Sequence, residues 1–221
     1  MRKYSFITLS IISVILIMLL SKFKKTDTHI FMNEISENSN LNFLKNDNDS
    51  VLLRWINYYK SFDSNFSLNK FEKMDNHPIQ YIDGNVLGVF DEKFDDIYMN
   101  FLIYSPNKEM YIDFDSYAWF VYEDDDKSEI FFDIDQEINL VNISKKTVTR
   151  IAFRGVSDWV EDAYWINDNT VVLLENSSEN KPTVSIFNLE DSEVTIFIYQ
   201  NTITQATSYS MQRMEFLLNK E

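Results

Sequence analysis

The sequence predicts a mostly β protein, built of antiparallel sheets stacked on one another, with an N-terminal membrane helix and one short amphipathic helix ahead of them. Three observations carry this. Residues 138–151, INLVNISKKTVTRI, return 46 positions later as VSIFNLEDSEVTIF, residues 184–197, so that Asn142 falls on Asn188, Val148 on Val194 and Thr149 on Thr195. In both copies an apolar strand runs into a polar turn and a second strand leaves it, and repetition near this period marks stacked β units. From Ile79 onward the apolar residues recur with period two, the spacing of a strand with one face buried. The third observation is an apolar run, Phe6 to Leu20, bracketed by Arg2 and Lys3 before it and by Lys22, Lys24 and Lys25 after it.

That run reads as a signal anchor over residues 1–25. Its 15 or so apolar residues are fewer than the roughly 20 a perpendicular spanning helix uses, and lysines at both ends extend the reach by snorkelling. No small-x-small cleavage site follows, because Met18, Leu19 and Leu20 are bulky, so the segment is expected to stay attached to the membrane through residues 6–20. Leu19-Leu20-Ser21 resembles the approach to a bacterial lipoprotein cleavage site. The lipidated cysteine is replaced by Lys22, and the chain has no cysteine at all. Thiol lipidation and disulfides are thereby excluded. The expected location is the cell membrane, single-pass, with the C-terminal domain outside the cytoplasm.

Residues 26–49 are polar and rich in asparagine, a linker. The remainder, 50–221, is long enough for one domain with a substantial core. Ser50 stands as N-cap to an amphipathic helix over 51–62, whose Leu52, Trp55, Ile56 and Tyr59 recur at three- and four-residue spacing. Asp63 to Asn76 reads as loop. Ile79–Ile82 and Val86–Phe90 flank the turn Asp83-Gly84-Asn85, and the acidic stretch Asp91–Asp96 follows. A second hairpin joins Tyr98–Tyr104 to Glu109–Phe114 through Ser105-Pro106-Asn107-Lys108, where proline's fixed φ suits the second turn position. The chain is expected to end in a strand near 207–217.

YSPNKEMYIDF, residues 104–114, resembles the Ser-Pro-Asp-Gly hairpin of TolB-like and WD40-like bacterial β-propellers. YWINDNTVVLL, residues 164–174, repeats it, with Trp165 where Tyr104 stands and Asn167-Asp168-Asn169 in the turn. The first hairpins are thus offset by 61 residues and the second by 46, and the 15-residue difference places an insertion between Asp113 and Glu137. The resemblance implies blade-like sheets over about 98–154 and 159–200. A closed propeller needs at least about four blades, so the expected architecture is an open, partial propeller-like stack capped by the 51–62 helix.

The first 25 residues carry five basic and no acidic side chains, which leaves 15 basic against 35 acidic in the rest, a net charge of about −20. Such a field repels a phosphate backbone, which argues against nucleic-acid binding and leaves cations and basic partners open. Catalytic sets are missing from the sequence: the two histidines, His29 and His77, have no metal-ligand spacing around them, and no nucleophile elbow, phosphate loop or dinucleotide fingerprint occurs. Carboxylates are the abundant groups. Asp133, Asp135 and Glu137 alternate along a strand in the insertion, and like charges so placed either invite a cation such as Ca²⁺ or form a solvated acidic loop. Trp119 and Trp165 are candidate ligand-binding aromatics, since rings beside acids bind sugars or basic peptides; each is equally a core residue of its strand. The functional expectation is a membrane-anchored binding or scaffold module for a protein or glycan partner, without catalysis. The alternative is an exported hydrolase or carbohydrate-binding protein with an acidic, aromatic cleft around 113–137.

Overall fold

The computed structural model describes residues 41–44, 50–84, 99–116, 118–124, 127–133 and 135–218. The chain divides between Leu41 and Asn42, and the helices and strands named here lie in Asn42–Glu221. The expected anchor over 6–20, the strand Val86–Phe90 and the acidic stretch Asp91–Asp96 lie outside the described residues. Among those described, no helix is long and apolar enough to cross a membrane.

The unit is mostly β. Helix α1, Ser50–Lys60, is followed by strands β1 (Phe71–Pro78), β2 (Ile82–Asp83), β3 (Ile103–Tyr104) and β4 (Met110–Asp113). Then come β5 (Trp119–Asp124), β6 (Lys127–Phe132), β7 (Gln136–Asn142) and β8 (Thr147–Arg154). The last strands are β9 (Asp158–Asn167), β10 (Thr170–Ser177), β11 (Thr183–Asn188) and β12 (Glu193–Tyr199), and helix α2, Tyr209–Leu218, closes the order. Two five-stranded antiparallel sheets result, β1-β12-β11-β10-β9 and β2-β8-β7-β4-β3, with β5 and β6 as a separate hairpin. Among the described residues the sheets close into neither a barrel nor a propeller.

Each large sheet is a four-strand meander whose last strand is joined by one strand from the N-terminal part: β1 on β12, β2 on β8. The 46-residue repeat is visible as geometry. Asn142 accepts the N–H of Lys145 at 2.8 Å on its Oδ1, and Asn188 accepts those of Glu190 and Asp191 at 3.0 and 3.3 Å. Both turns then end in a left-handed residue, Lys146 at φ 52° and Ser192 at φ 57°. An asparagine side chain that bonds the backbone two or three residues on fixes such a turn, which is why the residue recurs with the hairpin. The β5–β6 hairpin occupies the place of the insertion between Asp113 and Glu137.

The core between the sheets is formed by Ile112, Ile138 and Ile151 from one and by Ala163, Leu173 and Phe187 from the other. Strand β10 is buried along almost its whole length, because one face meets this core and the other lies toward α1. An unbroken apolar run, TVVLL, is the signature of a strand covered on both faces. Helix α1 buries Leu52, Trp55, Ile56, Tyr58 and Tyr59. Its rings engage Phe66, at 5.5 Å from Trp55 and 4.9 Å from Tyr59, and Phe66 in turn lies 4.8 Å from Tyr199 of β12. Each such ring removed from water contributes on the order of 2 kcal/mol.

Two expectations are corrected. Residues 71–76 are not loop but most of β1. FEKMDNHP reads as loop because only Phe71 is buried; backbone pairing with β12, from Phe71↔Tyr199 to Pro78↔Glu193, makes the strand, and its terminal proline suits a sheet edge. Residues 209–218 are a helix rather than a final strand. Tyr209 donates its hydroxyl to Asp162 Oδ2 at 2.8 Å, and Arg213, one turn later, reaches Asp115. A helix sets residues four apart within about 6 Å of each other on one face, where a strand would separate them by about 13 Å, and Ser208 Oγ accepts the Met211 N–H at the helix start.

Candidate functional site

Two concavities and one buried polar network compete for attention. The larger concavity, about 780 Å³, is the wedge between the sheets, with Ile151, Phe187, Val194 and Ile196 on its walls. Both of its arginines are already engaged. Arg154 of β8 meets Glu175 of β10 in a two-bond pair, Nε to Oε2 at 2.6 Å and Nη2 to Oε1 at 3.2 Å, and Arg150 donates to Glu137 Oε1 at 2.7 Å. These pairs brace the wedge, the Arg154–Glu175 pair joining one sheet to the other.

The network lies between α1, β9 and α2. Glu161 Oε2 accepts from Trp55 Nε1 and from the Tyr59 hydroxyl, both at 2.7 Å. Asp162 accepts from Tyr209 and stands 3.7 Å from Arg54. Asp115 pairs with Arg213, whose guanidinium also lies 4.9 Å over the Phe114 ring. Burial pushes Glu161 up to about 7, against the opposing pull of the bonds from Tyr59 and Trp55. Burial likewise pushes Asp115 up to about 6, although Arg213 holds it down. Neither carboxyl lines either concavity. These groups tie the helices to the sheet and are shielded from any substrate.

The second concavity, about 320 Å³, is the candidate site. Its size falls in the range of small-ligand pockets, and so does its mainly apolar wall with a few polar groups. The inserted hairpin supplies Trp119 and Phe132, whose ring centroids are 5.6 Å apart with planes inclined by 42°. The connection between the two sheets supplies Val156, the start of β9 supplies Trp159, and α2 supplies Ser210 and Met211. Trp119 is 4 % exposed, packed with Phe101, Ala118 and Met214, whereas Phe132 is 67 % exposed and Val156 72 %. A fixed wall thus carries an open apolar lip. Gln136 holds the floor: its Nε2 donates to Val160 O at 3.2 Å and its Oε1 accepts the Val160 N–H at 2.7 Å, which clamps β7 to β9. Asp133 is exposed, and its backbone N–H donates to Ala118 O at 2.6 Å, fixing the residue at the pocket edge. Among the described lining residues it is the one carboxylate, and none is a cation. Ser210 is 6 % exposed, and its hydroxyl has no hydrogen-bond partner among the described residues.

The sequence-derived candidates separate. Trp119 and Asp133 line this pocket together. Asp135 is exposed, with Oδ1 3.7 Å from where a Cβ on Gly155 would stand, and Glu137 turns to Arg150. Among the described residues no three acidic or histidine side chains gather as metal ligands. Trp165 lies elsewhere, packed against the inter-sheet core with Nε1 donating to Ile103 O at 2.8 Å. Trp159, Ser210 and Met211 were not among the candidates. The available signal was Trp159 directly after Gly155-Val156-Ser157-Asp158, an aromatic at the break between the two repeat units.

No protein-family model matches the chain, and no curated protein and no solved structure matches it either.

Proposed function

We propose that this chain is a membrane-anchored extracytoplasmic binding module, held by residues 6–20, that presents the Trp119–Phe132–Trp159 pocket to a small ligand. The observation that supports it is the inserted hairpin folding back so that Trp119 and Asp133 share one pocket wall. An insertion that served only as a spacer would have no reason to bring a tryptophan and a carboxylate against a second tryptophan at the start of β9. Binding is favoured over hydrolysis because glycoside cleavage uses two facing carboxylates, and among the described residues this wall supplies one. The propeller-like character of the two meanders belongs to the same reading: blade-like sheets leave their connecting loops and insertions to carry recognition.

A reporter enzyme that is active only outside the cytoplasm, fused after Glu221, tests the placement. Activity with the full chain, and its loss when residues 1–25 are removed, is the expected outcome. A reporter active only when facing the cytoplasm overturns it.

A further inference from the structure

Resting on that binding-module reading, we propose that the pocket takes a small organic cation, an ammonium group carrying alkyl substituents. The shape of the wall selects this chemistry. Three aromatic residues, Trp119, Phe132 and Trp159, and Met211 line a space of about 320 Å³ whose one charged lining group among the described residues is Asp133. The faces of aromatic rings are electron-rich and attract a cation, most strongly where the cation brings little water with it, as an alkylated ammonium does. A sulfur beside the rings adds a polarisable surface for alkyl groups.

The alternatives fit less well. A hard metal ion needs six to eight or so oxygen ligands, and one carboxylate with a serine hydroxyl is far short of that. A sugar needs several hydrogen-bonding partners around the rim of its ring. Here Gln136 spends both ends of its amide on Val160, which leaves Asp133, Ser208 and Ser210. An anion meets the Asp133 carboxylate and a domain with about 20 excess negative charges. The same excess draws cations toward the surface. The buried Ser210 hydroxyl, without a partner among the described residues, supplies one polar contact inside the pocket for a hydroxyl or ether substituent on the ligand.

The probe is choline, and its neutral isostere 3,3-dimethylbutan-1-ol, in which carbon replaces the quaternary nitrogen, is the control. Both are titrated calorimetrically into the full chain in an uncharged detergent, followed in parallel by tryptophan fluorescence. Choline is expected to bind about tenfold or more tighter than the alcohol, the factor that a cation–π and carboxylate contribution of this size supplies. Asp133→Asn, at an exposed position, and Trp159→Ala should each weaken choline about tenfold, and Trp165→Phe should leave it unchanged. Equal affinity for the two probes, or choline binding indifferent to Asp133→Asn, overturns the cation assignment while leaving a binding pocket. No binding of choline to folded protein at millimolar concentration overturns it as well. In that event the exported-module reading stands or falls on the reporter fusion, which does not involve this ligand.

Discussion

Asn107 donates its backbone N–H to Asp168 Oδ1 at 2.9 Å. These residues hold the same place in the two repeated hairpins, 61 positions apart, so the tips of the repeats touch through equivalent positions. Behind them Trp165 of β9 donates to Ile103 O of β3 at 2.8 Å. The first strand of one meander is thereby bonded to the first strand of the other.

The two bonds should differ in worth. The tip contact is exposed, where water replaces a lost partner and removal costs little. The indole bond is partly buried and shared with the core, and deleting its donor leaves the Ile103 carbonyl short of a partner. Trp165→Phe is expected to cost about 1–3 kcal/mol, and Asp168→Ala less than about 1 kcal/mol, by urea unfolding of each variant. Equal costs would mean that the tips, not the strands behind them, hold the repeats together.

Stability should fall as pH rises from about 5 to about 8. Glu161 is pushed up to about 7 and Asp115 up to about 6, burial being the first cause in both. A carboxyl whose proton is held more tightly in the folded than in the unfolded chain contributes stability at low pH and loses it as pH climbs through the folded value. For Glu161 the loss across this window is roughly 3 kcal/mol. Tyr59, Trp55, Trp159 and Asn176 face it with hydrogen bonds, and among the described residues no cation pairs with it. The half-buried Asp63 and the exposed Glu179 are shifted the other way, by bonds to Asn65 and to Lys181 respectively, so their contributions are lost only below about pH 4, outside the window. Urea midpoints at pH 5.5 and 8 check this: the wild type should lose stability, and Glu161→Gln, which keeps an acceptor for Trp55 and Tyr59, should lose less. A wild-type midpoint that rises over this interval contradicts the account.

What could be read in the sequence depended on whether a residue's job is local. Asn142 and Asn188 act on backbone two or three residues away, so the repeat they belong to is legible as a string. Helix α1 is legible for the same reason, since its stripe of Leu52, Trp55, Ile56 and Tyr59 needs no knowledge of the partner. Strand β1 is different. Its existence rests on the edge that β12 offers, which nothing in FEKMDNHP encodes. Helix α2 was decided by Asp115 and Asp162, which lie far back in the chain and reward four-residue spacing at Tyr209 and Arg213. The two acids in WVEDAYWI held a usable signal: adjacent carboxylates inside an apolar strand must be bonded if they are buried. At the pocket, Trp119 and Asp133 could be singled out by type. Trp159, Ser210 and Met211 could not, because three separate segments meet there only in the folded chain.

Gly84 is where the second sheet acquires its edge strand. Ile82 and Asp83 pair with Arg150 and Thr149 of β8, and Gly84 donates its N–H to Val148 O at 3.1 Å. A Cβ on Gly84 would stand 2.6 Å from Asn139 Oδ1 and 3.0 Å from both the Arg150 nitrogen and Val148 Cγ1. Asn139 is 1 % exposed, so its side chain has nowhere to retreat, and the Arg150 nitrogen is backbone. Gly84→Ala must therefore push β2 off β8, at about 1–3 kcal/mol for an overpacked contact. Gly155 is the matched control. A Cβ there meets nothing closer than 3.7 Å, at Asp135 Oδ1, and its φ is one that alanine accepts. Gly155→Ala should be neutral or slightly stabilising, by up to about 1 kcal/mol through the unfolded chain. Thermal unfolding of the two variants side by side separates the effects. If Gly84→Ala melts with the wild type, the approach of β2 to β8 is looser than these distances require, and that edge is not closed by contact at Gly84.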